Sequence, residues 1–170
     1  MDLTSELLKE NSVGNINSVT QYFVDHAEEL ESLISLLEHK NIKVTNRASW
    51  VLSKLGEKIP SQVSLFYHPL FEIVSHTESG TIRRNLMRGL QFLKIPEDME
   101  GQAIDFYLQL LQDKNQPVAV KAIALNISSS IALKYPEFSG ELESIIMEQL
   151  PYSSPGFKHR ANKILRQITI

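Results

Sequence analysis

The chain has no cysteine. That excludes a disulfide framework and thiolate metal sites, and fits a reducing compartment. Nowhere do about 18 apolar residues run together, so no segment is expected to span a membrane. The first residues, Met1 to Glu6, carry no basic stretch followed by an apolar run, so no secretory signal is expected and the cytoplasm is the expected location. The five histidines, His26, His39, His68, His76 and His159, form no i, i+4 pair and no His-Glu-x-x-His, so no metal site is expected. A glycine-rich phosphate loop is also missing, because Lys54 and Gly56 have no supporting glycines. There is no Gly-x-Ser-x-Gly elbow either, and Ser153-Ser154-Pro155-Gly156 reads as a turn before a helix. The sequence therefore predicts no cofactor and no enzyme.

What is present is a repeat. The 170 residues, 42% hydrophobic and 22% charged, suffice for one domain with a real core. Four segments align: Asn46 to Leu52, Arg83 to Met87, Val120 to Leu125 and His159 to Leu165. Their basic residues, Arg47, Arg84, Lys121 and Arg160, are spaced 37, 37 and 39 apart. Ten residues before each stands Leu37, Val74, Leu111 or Leu150, and fourteen before stands Leu33, Leu70, Tyr107 or Ile146. Such a period is the mark of stacked supersecondary units.

Each unit reads as two helices. The first (A) shows i, i+3, i+4 apolar spacing, as in Leu30, Leu33, Ile34 and Leu37. The second (B) follows a short polar turn, and Pro60, Pro96 and Pro136 mark B-to-A junctions because proline cannot continue a helix but can begin one. The A helices are expected near 26–39, 65–76, 97–112 and 138–149. The B helices are expected near 43–58, 79–94, 117–134 and 156–168. Residues 1–25, broken at Val13-Gly14-Asn15, read as an N-terminal capping pair. Four repeats follow, near 26–60, 61–96, 97–136 and 137–170, within a single domain over 1–170. Pro69 is expected to delay or kink the second A helix. In the second B helix the apolar pattern puts Asn85, not Arg84, in the basic column. Asn126 shares a column with Leu52 and Leu165 and needs a hydrogen-bond partner if buried.

The B-helix starts, a small or apolar residue, then a basic one, then alanine and leucine at helical spacing, resemble HEAT repeats. Val118-Ala119-Val120-Lys121-Ala122 is the clearest instance. The resemblance covers roughly residues 26–168, and parts of it are similar to a group of short bacterial HEAT-like proteins. It implies an all-α fold, a right-handed α-α superhelix of about four helix pairs plus the N-terminal pair, with B helices lining the concave side. The position six before each basic residue, where HEAT units usually carry an acid, holds Asn41, Glu78, Asn115 and Ser154, so that ladder is incomplete.

Charge is sorted by helix although the net charge is only −3. The B helices collect cations, among them Arg47, Lys54, Arg84, Arg88, Lys121, Lys163 and Arg166, against Glu57 and Glu78. The A helices collect acids and no Lys or Arg. A basic B face attracts an anionic partner, a protein or acidic peptide in the first reading and a nucleic-acid backbone in the alternative. The bland reading is that column cations cap and pack neighbouring repeats. It applies most to Arg47, Lys121 and Arg160, whereas Arg84, Arg88, Lys163 and Arg166 exceed what the repeat needs. Trp50 is either a repeat-core residue or a stacking surface. The expected partner-binding residues are thus Trp50, Arg84, Arg88, Lys163 and Arg166. DNA-alkylation-repair glycosylases and the large helical lyases are set aside, because the acidic, aromatic or glycine-rich elements their chemistry needs are missing.

Overall fold

A computed structural model describes residues 2–169, and among them every regular element is helical, with no strand. The chain divides into two compact units, Met1–Ile95 and Pro96–Ile170.

The first unit opens with α1 (Leu3–Lys9) and α2 (Val13–Asp25). The break between them lies at Glu10 to Ser12, earlier than the expected Val13-Gly14-Asn15. Ser12 accepts from the Asn15 backbone amide and so starts α2. Gly14 lies inside the first turn, where a Cβ built on it would meet only the Ser12 hydroxyl, at 3.7 Å. Buried Asn15 donates its side-chain amide to the Glu6 and Glu10 carbonyls, at 2.9 and 3.4 Å, closing the end of α1.

Next come α3 (Leu30–Ser35), with a 3₁₀ turn on each side, and the long α4 (Ile42–Lys58), capped by the Asn41 side chain. Pro60 starts the short α5 (Pro60–Ser64), and α6 (Tyr67–His76) follows. Pro69 lies in the first turn of α6, where a missing N–H costs nothing, so it delays the helix without kinking it. The unit ends with α7 (Gly80–Leu90), capped by Ser79. This helix stops four residues before its expected end. Gln91 to Leu93 continue as turn, with Phe92 N–H donating to the Gly89 carbonyl.

The second unit contains α8 (Glu100–Gln112), α9 (Val118–Lys134), α10 (Ser139–Gln149) and α11 (Pro155–Ile168). α9 packs against the other three, so it buries residues around most of its circumference, including Ser128 and Ser129. Those small side chains let neighbouring helices approach α9 closely. Glu100 on α8 ties down the end of α9: it accepts from Lys134 Nζ at 2.6 Å and from the Tyr135 hydroxyl.

Burial fixes the repeat register. Val44, Ile82, Val120 and Phe157 are equivalent buried positions, followed four residues on by Ala48, Leu86, Ala124 and Ala161. The step is 38, 38 and 37 residues. In this register Arg47 aligns with Asn85, Ile123 and Arg160, which confirms Asn85 in the second B helix and moves Lys121 out of the column. Asn126 moves too. Its equivalents are Trp50, Arg88 and Lys163 rather than Leu52 and Leu165, and it is half-buried rather than core.

Asn85 is itself buried, and its Nδ2 donates to Ser49 Oγ at 3.0 Å, joining α7 to α4. Replacing Asn85 with alanine removes that bond and leaves a void. We expect a loss of about 1–3 kcal/mol in chemical denaturation.

Candidate binding face

The cations of the B helices fall into two groups, those engaged by neighbouring helices and those that are not. Arg47 Nη1 donates to the Leu7 carbonyl near the end of α1. Arg83 donates through Nε to the Val74 carbonyl at 3.3 Å and through Nη2 to the Thr77 carbonyl at 2.6 Å, satisfying the last turn of α6. Arg160 Nη1 donates to the Ala122 carbonyl on α9 at 3.4 Å. Lys121 Nζ meets Gln149 Oε1 at 3.3 Å. Arg47 and Arg83 serve helix ends, because carbonyls at helix C-termini lack intrahelical donors and attract cations. Arg160 and Lys121 instead reach a carbonyl early in α9 and a side-chain amide on α10. Arg83→Met should cost about 2 kcal/mol in thermal or denaturant unfolding, since two half-buried carbonyls lose a charged donor.

Arg84 and Arg88 belong to the second group. They lie four residues apart on α7 and are exposed, and no carboxylate or carbonyl engages either guanidinium among the described residues. Their direction follows from the packing. α7 meets α4 along Asn85 and Gly89, opposite Ser49, Leu52, Ser53 and Gly56. The helices therefore run parallel, with their N-terminal ends together. Their core sides carry Ala48, Val51, Leu55, Leu86 and Leu90. The remaining rows lie on the same side: half-buried Trp50 and Lys54 on α4, and exposed Thr81, Arg84 and Arg88 on α7, while the Asn46 side-chain oxygen is buried.

The two rows are close because glycine faces glycine. A Cβ built on Gly56 would stand 2.6 Å from both Gly89 Cα and Gly89 O, closer than real side chains approach backbone. Trp50 and Lys54 are half-buried, so the indole presents one part to the core and one to solvent. Phe92, 47% exposed, lies just beyond the end of α7, and Glu57 and Lys43 stand at the margins of the α4 row.

Three of the five expected partner-binding residues, Trp50, Arg84 and Arg88, thus share one face of the first unit. Lys163 and Arg166 lie on α11 of the second unit, exposed and three residues apart, with Arg166 Nε donating to the Asn162 carbonyl. Sequence reasoning missed Phe92, which fell inside the helix expected over 79–94 but lies in the turn after α7 ends at Leu90. It also missed the Gly56–Gly89 contact, whose only sequence signal is a glycine inside each of two neighbouring B helices.

Among the described residues no cluster of three or more His, Asp or Glu side chains could hold a metal. Among the same residues no helix is long and apolar enough to cross a membrane. A model of the HEAT repeat domain matches residues 3–168. Comparison with curated proteins and with solved structures returns no match.

Proposed function

From the premise that this chain belongs to the HEAT repeat family, whose repeats generally mediate protein–protein interaction, we propose that it is a non-catalytic module binding an acidic segment of a partner protein on its B-helix side. The carrying observation is the pair Arg84 and Arg88, exposed and unengaged among the described residues, on the same side as Trp50, while Arg47 and Arg83 are occupied at helix ends. Arginine and tryptophan are the side chains that most often dominate protein interfaces. Guanidinium groups accept carboxylates in a bidentate fork. Lys163 and Arg166 are a separate pair of exposed cations on α11 of the second unit, open to an acidic segment of their own.

A nucleic-acid backbone would use the same cations, and salt separates the two classes. A protein making 6–10 phosphate contacts loses roughly 10³–10⁵ in affinity between 50 and 200 mM salt. The first unit offers four cations to this face, Lys43, Lys54, Arg84 and Arg88, and sets Glu57 among them. That composition suits a peptide of mixed acidic and apolar character better than a continuous run of phosphates.

The test uses Trp50, the single tryptophan, as an intrinsic reporter. Its emission is followed during titration with a blocked peptide of alternating glutamate and leucine, and separately with single-stranded DNA and RNA oligonucleotides, at 50 and 200 mM salt. The expected result is a saturable response to the peptide that weakens by less than about tenfold across that range. A response to oligonucleotide alone, with a steep salt slope, would replace this reading with nucleic-acid binding.

A further inference from the structure

The second unit holds a cleft of about 710 Å³ at the ends of its two helix pairs. Its walls come from the α8–α9 loop, the first turn of α9, the end of α10 and the start of α11. The size falls in the range of ligand sites, roughly 300–1,000 Å³. Its lining combines apolar side chains with one inward cation. Phe157 is buried at its base, while Val118 is 56% and Tyr152 91% exposed at its rim. Val118 and Tyr152 thus leave apolar surface open beside the cleft, where a ligand side chain could cover it.

Lys121 is the cation. It reaches the cleft from the second turn of α9, half-buried, and its hydrogen-bond acceptor is the neutral Gln149 amide oxygen at 3.3 Å. Gln149 is itself fixed, since its Nε2 donates to the Leu111 carbonyl. Burial pulls the Lys121 ammonium below its usual range, with Asp113 acting in the opposite direction and Lys114 in the same one. An ammonium that has lost water, with an amide oxygen as its hydrogen-bond acceptor and a carboxylate acting on it without a hydrogen bond, gains from a carboxylate in direct contact. Lys114 adds a second positive charge to the lining, and Glu148 stands as its acid. The first turn of α9 has no side-chain cap, so its free N–H groups add positive potential at the same place.

We propose that this cleft is a second binding site, separate from the α4–α7 face, and that it takes a peptide segment in which an acidic side chain pairs with Lys121 while an adjacent aromatic or aliphatic side chain packs on Val118 and Tyr152. A peptide is the occupant because the cation and the two exposed apolar groups line one cleft. One carboxylate satisfies Lys121 and leaves both rim surfaces uncovered, whereas an acidic residue between apolar neighbours covers all three.

The test follows backbone amide shifts of the full-length protein by heteronuclear NMR. The probes are a blocked tripeptide with glutamate between two phenylalanines, its glutamine counterpart, and sodium acetate. The glutamate peptide should move amides of Lys121, Gln149 and Ser153, with the glutamine peptide about tenfold weaker. Lys121→Met should weaken the glutamate peptide to the level of the glutamine one, and Lys121→Arg should largely retain binding. Tyr152→Ala, at a side chain too exposed to matter for folding, should weaken both peptides several-fold. The Arg84→Glu/Arg88→Glu double variant should leave these shifts unchanged, which separates this site from the one on α4 and α7. Equal binding of both peptides, binding of acetate as tight as of the peptide, or no shift at these amides would each overturn the proposal.

Discussion

Gly56→Ala should unfold the protein at markedly lower denaturant than the wild type, a loss of about 3 kcal/mol, although alanine is the better helix former. Propensity alone favours alanine over glycine by about 1 kcal/mol in a helix interior. Here the added methyl would lie 2.6 Å from Gly89 Cα and carbonyl oxygen. Those atoms are backbone, so no side-chain rotation relieves the clash. The helices must separate by an ångström or more. That loosens the Asn85–Ser49 hydrogen bond and the packing of Leu52 and Leu90 around it. Overpacking in a core costs typically 1–3 kcal/mol and occasionally more, and this one strikes the most extensive helix contact of its unit. Gly101→Ala is the control. It lies exposed in α8 with nothing within 4 Å of a built Cβ, so it should stabilise the protein by about 0.5–1 kcal/mol. If Gly56→Ala were as benign as Gly101→Ala, the close crossing of α4 and α7 would be wrong.

The Arg84→Glu/Arg88→Glu double variant should abolish partner binding while leaving the fold intact. Both side chains are exposed and hold no helix end, so their replacement should change stability by no more than about 0.5 kcal/mol. Binding is another matter, because each arginine is replaced by a group that repels the carboxylate it would have paired with. A loss of about a hundredfold in affinity is expected, equivalent to about 2.7 kcal/mol over two hot-spot positions. Arg83→Met gives the reverse pattern, lowering stability by about 2 kcal/mol with little effect on affinity, because its guanidinium is committed to Val74 and Thr77. The two adjacent arginines therefore have opposite phenotypes.

That opposition shows where the sequence was readable and where it was not. The repeat and its helix pairs were legible because apolar spacing and helix-starting prolines report burial and chain direction directly. The one-residue question at Arg84 and Asn85 was legible for the same reason, and burial of Asn85 settles it. Lys121 was placed in the wrong column because a basic residue followed by alanine occurs at two positions of the repeat, and only burial of Val120 and Ala124 tells them apart. Which cations are engaged was not legible at all. Arg83 and Arg84 are chemically identical, and their fates differ because a 100° turn along the helix aims one at the end of α6 and the other at solvent. The Gly56–Gly89 contact was hidden for a related reason. Glycine in a helix has several explanations, and the partner that requires it lies on another helix. The cleft beside Lys121 depends on loops from two helix pairs, whose course no periodic pattern encodes.

The most direct test of the central claim puts a photocrosslinking benzoylphenylalanine at Thr81, exposed in the same row as Arg84 and Arg88, and for comparison at Glu72, exposed on α6. After irradiation in cells, a protein adduct at position 81 that disappears with Arg84→Glu/Arg88→Glu and is missing at position 72 is the predicted result. Equal adducts at both positions, or an adduct at 81 that nuclease removes and protease does not, would contradict a protein-binding face on α4 and α7.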